Sequence, residues 1–358
     1  MLRRLKLAFL RTADALGLNS MLLESRWRRN RLLILCYHGV SLEDEHQWGP
    51  AMYLPPALFR QRMEALRRMD CAVLPLGEAL ERLYSGTLPA RAVAITFDDG
   101  AYDFYKAAYP VLREHGLPAT LYFTTYYSSY NRPVFGVMLN YLLWKGRETL
   151  LTWPEFLPEP VWLDERRRRE VQTRVVAQVR QARLRVAEKD AVLAQLASRL
   201  SLDYEALCAK RILTLMTPDE AAELAAAGVD IQLHTHRHRV SLRRDLFLKE
   251  IEDNRRAISV VSPRPAVHFC YPSGLHRPEF PEFLRSAGVE SATTSDPGLA
   301  GRHTSPYLLP RMLDVATLTG TEFTAWLSGL ASFLPHRPHP ADRRPALEDP
   351  PEAGGPRL

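Results

Sequence analysis

The 358-residue sequence has no apolar run approaching the roughly 20 residues that a membrane-spanning helix needs. The apolar part of the first ten residues is short and interrupted by charge, so we expect no signal peptide. No glycine-rich phosphate loop follows the first apolar segment, which disfavours a nucleotide-binding sheet. We therefore expect a protein that is cytoplasmic or peripheral at the inner face of a membrane.

Cysteine is also scarce, and the four cysteines lack the close spacing of a zinc knuckle: Cys36, Cys71, Cys208 and Cys270. This sparse use suits a reducing compartment. A hydrophobic content of 46% and a charged content of 25% are ordinary for a globular protein. A chain of this length can bury a substantial core.

Basic charge exceeds acidic charge by six and is clustered near the start and in the run 166–169. No nucleic-acid-binding module accompanies these clusters, so we expect no nucleic-acid partner. Residues 1–31 predict a basic amphipathic segment, with apolar residues at helical spacing: Leu2, Leu5, Phe9, Ala13 and Leu16. This helix could pack on the body of the protein or contact an anionic membrane surface peripherally.

Short apolar segments alternate with helical segments of about 10 to 15 residues, which predicts βαβ units and a mostly parallel sheet. The expected strands are 32–38, 72–74, 93–97, 119–123, 229–234, 266–271, 289–293 and 308–315. The expected helices include 55–69, 76–83, 102–115, 217–228, 243–261, 279–287 and 321–330. Seven or eight strands allow a barrel or an open sheet, and in both the chemistry collects at the carboxyl ends of the strands.

The alternation stops between residues 128 and 212. Several prolines and a long, arginine-rich helical pattern predict an inserted helical subdomain there. The barrel or sheet would then comprise residues 32–127 and 213–333. The tail, residues 334–358, is rich in proline and arginine and is predicted to be disordered.

Two adjacent carboxylates, Asp98 and Asp99, end the predicted strand 93–97, just before Gly100. Side chains alternate along a strand, so these two carboxylates should point in different directions. Acidic groups at a buried strand end are costly without a partner or a function. One of the two could hold a metal while the other handles protons.

Three histidines follow another predicted strand: His234, His236 and His238. All three share a face if the segment is extended, whereas His234 and His238 lie one turn apart if it is helical. In either geometry two imidazoles and Asp99 form a set that leaves a position for water, as in catalytic metal sites. Asp98 is then the candidate base for the proton of that water, with a turn-capping role as the alternative.

The segment 270–274, Cys-Tyr-Pro-Ser-Gly, predicts a tight turn after a strand. Backbone N–H groups in such a turn could face a developing oxyanion. Tyr271 would contribute its amide or its ring.

Taken together, these motifs resemble the polysaccharide deacetylase family with its NodB-homology domain. The similarity lies in Thr96-Phe-Asp-Asp-Gly100, in His234-Thr235 followed by His238, and in the Tyr-Pro-Ser-Gly turn. Residues 34–40 also resemble the opening strand of members that act on extracellular or exopolysaccharide chains. The resemblance implies a distorted (β/α) barrel of about seven strands, of the glycoside hydrolase and deacetylase type, with the helical subdomain inserted into it.

The resemblance also implies metal-dependent removal of acetyl groups from N-acetylated sugars. It makes Asp98 the general base and Tyr271 the oxyanion contact. It assigns the metal to Asp99, His234 and His238, with His236 as a bystander or a support for the ligands. Zinc is the expected ion, and cobalt, nickel or iron would fit the same ligands.

The sequence departs from the family pattern at two places. Many members carry an arginine before the Tyr-Pro turn, where this chain has His268, Phe269 and Cys270. Many also carry a late Leu-x-x-His motif whose histidine is the general acid, and the matching segment 308–314 has no histidine. The candidates to replace that acid are His38, His276 and His303, and Arg311 could orient a carboxylate.

We therefore expect a metal-dependent deacetylase of an amino-sugar polymer, either an exopolysaccharide or a cell-surface glycan. The missing acid leaves open a glycan-binding barrel with impaired catalysis. The open site and the insertion also leave open a hydrolase of the same fold that acts on a small non-peptide amide. Turnover measured beside glycan affinity, over substrates of different length, separates these alternatives.

Overall fold

A computed structural model describes residues 2–335. Its strands are β1 (Arg31–Tyr37), β2 (Gly39–Val40), β3 (Tyr53–Leu54), β4 (Ala72–Val73), β5 (Ala92–Phe97), β6 (Thr120–Phe123), β7 (Leu150–Leu151), β8 (Val161–Trp162), β9 (Asp230–Leu233), β10 (His268–Cys270), β11 (Ser291–Thr293), β12 (Ala300–Gly301) and β13 (Met312–Leu313).

The α-helices are α1 (Leu2–Ala15), α2 (Leu18–Leu23), α3 (Arg26–Arg29), α4 (Glu45–Trp48), α5 (Pro56–Arg68), α6 (Leu76–Ser85), α7 (Tyr109–Glu114), α8 (Phe135–Lys145), α9 (Glu165–Gln181), α10 (Val186–Arg199), α11 (Tyr204–Ala209), α12 (Pro218–Ala226), α13 (Arg244–Val261), α14 (Phe280–Ser286) and α15 (Gly320–Ser328). A π-helical turn spans Phe104–Ala108, and 3₁₀ turns span Tyr127–Tyr130, Pro272–Gly274 and Leu330–Phe333.

The central sheet is a distorted barrel of parallel strands in the order β1, β5, β6, β9, β10 and β11. The segment 309–313 lies between the two ends of this sheet, because Leu309 bridges Thr293 and β13 pairs with β1. β4 and β12 pair with the first residues of β5 and β1. The predicted α/β barrel of about seven strands is thereby confirmed.

The barrel strands are apolar because helices cover them on the outside and side chains fill the interior. β5 is buried at every position, and β1 at all but its first. Such near-continuous apolar runs are typical of parallel strands that are covered on both faces.

Two predicted elements differ from the structure, and proline explains both. The helix expected over 102–115 is continuous from 102 to 114, but residues 104–108 form a π-helical turn within it, just before Pro110 of α7. Proline lacks the N–H of the regular α-helical ladder, and the wider π-helical turn accommodates it. The strand expected over 308–315 shortens to β13, because Pro310 cannot donate to a strand ladder.

The inserted residues form a helical layer, α8 to α11, with its own apolar core around Trp153, Leu196 and Val175. The insertion leaves the barrel after β6 and returns before α12. Its two connections run side by side, because Pro133 bridges Thr214 in antiparallel fashion. The insertion therefore emerges from the carboxyl ends of the barrel strands.

The N-terminal helices α1 and α2 pack against α15. α1 docks through Leu10 and Ala13, which are buried, whereas Leu5, Phe9 and Leu16 are 58%, 48% and 70% exposed. Of the apolar stripe predicted from the sequence, Ala13 packs against the barrel, whereas Leu5, Phe9 and Leu16 remain exposed.

Arg28 differs from the other basic residues of the N-terminal segment because it is buried. Its guanidinium donates to the backbone carbonyls of Leu327, Arg31 and Ala92 at 2.8, 2.7 and 3.1 Å. Burial lowers the pKa of Arg28 to about 10. This side chain fixes the segment to the barrel instead of facing solvent.

Within residues 2–335, no helix combines the length and the apolar character needed to cross a bilayer. The tail predicted to be disordered, 334–358, lies outside the described residues except for Leu334 and Pro335.

Candidate active site

The two carboxylates after β5 point to different sides, as the alternation of side chains predicts. Asp98 is buried inside the barrel, and its backbone N–H donates to the Tyr37 carbonyl at 2.9 Å. Asp99 faces the cleft with a side chain that is 30% exposed. The chain turns here through left-handed conformations at Asp99 (φ 72°) and Gly100 (φ 81°). A Cβ on Gly100 would lie 2.2 Å from the ring of Phe123, so only glycine fits.

The histidine segment after β9 is neither extended nor helical. Thr235 (φ 61°) and His238 (φ 53°) are left-handed, and the ring centroids of His234 and His238 are 4.9 Å apart. The strain at Thr235, a β-branched residue, persists only where surrounding contacts hold it. One such contact is the hydrogen bond from the Arg239 N–H to the Thr235 hydroxyl at 3.0 Å.

Helix α13 holds the histidine segment through two polar side chains on its buried face. Asn254 accepts from the His234 N–H at 2.9 Å and donates to the Phe123 carbonyl at 2.9 Å. Glu250 accepts from the Arg237 N–H at 2.8 Å. Neither residue was predicted from the sequence, although polar residues one turn apart on the buried stripe of an amphipathic helix are a visible signal.

Asp99 and two imidazoles converge on one point. Asp99 Oδ1 lies 3.3 Å from His234 Nε2 and 3.1 Å from His238 Nε2. Ligand atoms bound tetrahedrally at about 2 Å are separated by about 3.3 Å, so this spacing suits a divalent ion. Some 135 positions of sequence between Asp99 and the histidines are bridged by the adjacency of β5, β6 and β9.

The hydrogen bonding of His234 gives an independent reason for a cation at this point. His234 Nδ1 lies 2.9 Å from the Cys270 carbonyl, which can only accept, so Nδ1 carries the proton. In the neutral ring Nε2 is then an acceptor, and it faces the Asp99 carboxylate, also an acceptor. A positive charge between the two relieves this opposition. The three side chains therefore fit a divalent metal, and metal binding itself stays a prediction.

Arg311 holds the second carboxylate. Its Nη1 and Nη2 donate to Asp98 Oδ1 and Oδ2, both at 2.7 Å, and its Nε donates to the Thr294 carbonyl at 2.8 Å. Burial would raise the pKa of Asp98, but the Arg311 guanidinium outweighs it and lowers the pKa well below its usual range. The structure thus places Arg311 against Asp98, and its role in orienting this carboxylate stays a prediction.

Two buried thiols complete the surroundings of Asp98. The sulfur atoms of Cys36 and Cys270 lie 3.6 and 3.4 Å from Asp98 Oδ2, and Arg311 Nη2 lies 3.1 Å from the Cys270 sulfur. Burial raises the pKa of both thiols well above the usual value. They are therefore neutral, weak hydrogen-bond donors to the carboxylate.

Among the candidate acids, His38 lies nearest to the carboxylates. Its Nε2 is 3.8 Å from Asp98 Oδ2. Its Nδ1 is buried and has no hydrogen-bond partner among residues 2–335. Burial lowers the pKa of His38, against the opposing effect of Asp98.

Comparison with known proteins identifies the family. A model of the family described as polysaccharide deacetylase matches residues 85–158 and 167–292, more than half of the chain. The chain belongs to the polysaccharide deacetylase family. Deacetylases of this family are hydrolases of carbon–nitrogen bonds other than peptide bonds.

Relatives of this chain include the poly-β-1,6-N-acetyl-D-glucosamine N-deacetylase of Escherichia coli (strain K12). It is 31% identical over 101 residues, which cover 28% of this chain and 15% of that protein. The corresponding protein of Staphylococcus aureus (strain MSSA476) is 36% identical over 67 residues, or 19% of this chain and 23% of that protein. The matches thus cover less than two thirds of the length of these curated relatives.

Two solved structures share the fold of this chain over most of its length. The Streptococcus pyogenes deacetylase PplD, in complex with acetate, aligns with a TM-score of 0.55 and 16% identity, over 82% of this chain and 96% of that chain. IcaB from Ammonifex degensii aligns with a TM-score of 0.53 and 17% identity, over 83% and 97%.

Tyr271 does not take the predicted position. Its N–H donates to the Thr293 carbonyl at 3.2 Å, and its hydroxyl donates to the Tyr307 carbonyl at 3.1 Å. Its ring is buried between Phe269 and Phe280. Both polar groups of Tyr271 are thus hydrogen-bonded to backbone carbonyls of the barrel. In this arrangement neither group is free to make the expected oxyanion contact.

The remaining histidines lie outside the cluster of ligands. His236 turns away, with Nδ1 2.8 Å from the Thr125 hydroxyl. His276 pairs with Asp296 at 3.2 Å. His303 lines a cavity of about 600 Å³ together with Arg31, the first residue of β1, so it lies at the amino ends of the strands. His303 is therefore excluded as the acid, because the carboxylates lie at the opposite end.

Proposed function

We propose that this chain hydrolyses the N-acetyl groups of an amino-sugar polymer in a metal-dependent reaction. The observation that carries the proposal is the meeting of Asp99, His234 and His238 beside the Asp98–Arg311 pair. Family membership supports the reaction class. The names of the relatives, which specify β-1,6-linked N-acetylglucosamine, support an exopolysaccharide of this type as the substrate.

Asp99, His234 and His238 would hold the metal. When bound there, a divalent ion lowers the pKa of water and polarises the acetamide carbonyl. Zinc is the ion that two imidazoles and one carboxylate favour, with cobalt, nickel or iron as alternatives. The Cys270 carbonyl fixes the His234 ring so that Nε2 faces Asp99, a support that metal-binding histidines commonly have.

Asp98 is the general base. It stays ionised because Arg311 holds both of its oxygens, and its position beside Asp99 places it next to the ligands. It would accept the proton of the attacking water. The fork of Arg311 fixes the orientation of the carboxylate, and the thiols of Cys36 and Cys270 exclude water from its inner side.

His38 is the general acid. Its Nε2 lies 3.8 Å from Asp98 Oδ2, beyond direct hydrogen-bond distance, so the proton that Asp98 has accepted would pass to His38 through one water or after a small approach of the two side chains. His38 would then donate that proton to the leaving amine. Burial keeps His38 neutral before the reaction, as a group that must first receive a proton should be. A barrel that binds glycan without turnover is therefore the less favoured alternative.

The test is release of acetate from β-1,6-linked N-acetylglucosamine oligomers, before and after removal of metal with a chelator. We expect release by the purified chain, its loss with chelator and its return with zinc. Asp98→Asn should lose activity while it keeps bound metal, because Asp98 is not one of the three proposed ligands.

His38→Gln distinguishes the alternatives. We expect a loss of about 100-fold or more in kcat, the usual contribution of a positioned acid, with glycan affinity retained. Absence of acetate release from every oligomer by metal-loaded protein would refute the proposal. Efficient hydrolysis of small amides together with inert oligomers would favour the small-amide hydrolase.

A further inference from the structure

Three tyrosines cluster where the chain leaves β6, at the carboxyl end of the barrel. We call Tyr126, Tyr127 and Tyr130 the aromatic rim. The ring of Tyr126 lies 5.1 Å from that of Tyr127 and 5.4 Å from that of Tyr130. Tyr130 is 40% exposed, so one end of this cluster presents an aromatic ring to solvent.

The aromatic rim is attached to the histidine segment. The N–H of Tyr126 donates to the His236 carbonyl at 2.8 Å, and the two rings meet edge to face at 5.5 Å. His236 stands two positions from each of the candidate ligands His234 and His238. The rim is therefore joined to the segment that carries two of the three candidate metal ligands.

The loop that carries the aromatic rim is held in a defined shape. The hydroxyl of Ser128 donates to the Thr125 carbonyl at 2.8 Å, and Asn131 ends the turn with φ 45°. The guanidinium of Arg237 lies 5.2 Å from the centre of the Tyr126 ring. An exposed side chain on a rigid loop loses little conformational entropy when it binds a ligand. The fixed shape of this loop therefore favours a binding role for its exposed tyrosine.

The aromatic rim lies on the stretch of chain that connects β6 to the helical insertion. Residue 131 leads directly into the insertion, whose connection is fixed by the hydrogen bond from the Val134 N–H to the Leu213 carbonyl at 3.1 Å. The rim thus lies between the metal cluster and the helical insertion. A polymer with one acetamide at Asp99 would extend its neighbouring units along this same end of the barrel.

We propose that the aromatic rim binds a pyranose unit adjacent to the one that is deacetylated, with the ring of Tyr130 stacked against the C–H face of the sugar. The proposal rests on the function proposed above and adds a binding subsite to it. A pyranose presents one apolar face and a hydroxylated edge, and tyrosine offers an apolar ring with a hydroxyl at its tip. A small amide would have no unit to place there, so the rim favours oligomers over single sugars.

The experiment compares hydrolysis of N-acetylglucosamine with that of its β-1,6-linked hexamer. In Tyr130→Ala we expect kcat/KM for the hexamer to fall about three- to tenfold, mainly through KM, because a single aromatic contact is lost. The value for the single sugar should not change. Tyr130→Phe keeps the stacking ring and should stay within about twofold of wild type.

Phe333→Ala is the matched control, because Phe333 is an exposed aromatic residue, 61% accessible, that packs on Trp27 of α3. It should leave both rates unchanged. A fall of equal size for both substrates, or no fall for the hexamer, would overturn the subsite while leaving the deacetylase function intact.

Binding of the hexamer, measured by calorimetry with metal-loaded protein, keeps the subsite testable if no acetate is released. Weaker binding by Tyr130→Ala than by wild type would then support the subsite although the deacetylase function has failed. Equal binding by the two proteins, or no binding by wild type, would overturn the subsite.

Discussion

At the scale of single residues, the buried pair of Arg311 and Asp98 determines whether the site can work. Both side chains are almost completely inaccessible, and the two charges meet in a bidentate arrangement. A buried ion pair is costly to break from one side, because the remaining charge then has no partner. Many family members orient the base from a position near residue 270, and here Cys270 leaves room for a guanidinium that comes from residue 311.

Replacement of Arg311 should therefore harm both stability and activity. For Arg311→Met we expect a loss of about 3–5 kcal/mol in the free energy of unfolding, as for other buried charges that lose their partner. We also expect kcat/KM to fall by at least about 100-fold, because Asp98 loses its orientation. Urea unfolding and acetate release measure the two effects.

The double variant Arg311→Met/Asp98→Asn separates the two effects. Stability should be partly restored, because no charge is left unpaired, while activity stays lost because the base is gone. Arg311→Lys should be intermediate, since it keeps the charge without the fork. Full activity in Arg311→Met would show that Asp98 needs no such partner.

The candidate metal ligands could be predicted because they lie close together in the sequence. Asp98 and Asp99 are neighbours, and His234 and His238 belong to one short segment, so strand ends and spacing were enough to place them together. Asn254, Cys36 and Arg311 act on these residues from other elements of the fold. Their contacts depend on how helix α13 and strands β1 and β13 pack, which no local pattern specifies.

At the scale of elements, helical spacing located the helices better than it located their buried faces. Helix α12 starts at Pro218 behind the Thr217 cap, with Glu220 completing the capping box as predicted. Helix α1 was also predicted, but its docking face was not. An amphipathic pattern shows that an apolar stripe exists, and it does not show which neighbour covers which part of the surface.

The apolar side chains that α1 leaves exposed predict binding to an anionic membrane surface. Leu5, Phe9 and Leu16 lie on this face, and Arg4 and Arg11 are exposed on the same helix. We expect the chain to sediment with vesicles that contain anionic phosphatidylglycerol, and to do so less well in high salt. Leu5→Ser/Phe9→Ser should abolish most of this binding without unfolding the barrel, because neither side chain is buried.

Val260→Ser provides the matched control, since Val260 is 83% exposed on α13. Its binding to vesicles should equal that of wild type. If Leu5→Ser/Phe9→Ser binds as well as wild type, or if wild type sediments only with neutral vesicles, α1 is not an anionic membrane contact and serves to cover α15 alone.

At the scale of the whole molecule, the order of the strands explains why the distant motifs meet. β5 and β9 each pair with β6, so their carboxyl ends lie two strands apart on one rim of the barrel. The alternation of strands and helices predicted this arrangement, because parallel strands connected by helices bring all their carboxyl ends to one side. The closure through the segment 309–313 could not be predicted in this way, because that segment pairs at only a few positions.

Because of this strand order, a metal ion at the site would join the end of β5 to the segment after β9. An ion held by Asp99, His234 and His238 binds the folded chain, whereas the unfolded chain presents these side chains far apart. Binding should then stabilise the protein by about 2.7 kcal/mol when free zinc exceeds its dissociation constant 100-fold. For a domain of this size we expect the melting temperature to rise by several degrees, as measured by differential scanning calorimetry.

The histidine segment supplies its own matched pair of variants for this measurement. His234→Ala removes a ligand and should abolish the zinc-dependent rise. His236→Ala removes a ring that faces Thr125 instead of Asp99, and should keep it. The comparison uses the shift caused by zinc in each protein, so that any loss of stability from the substitution itself cancels. A rise of equal size in both variants would place the ion elsewhere, and the absence of a rise in wild type would remove the metal from the proposed chemistry.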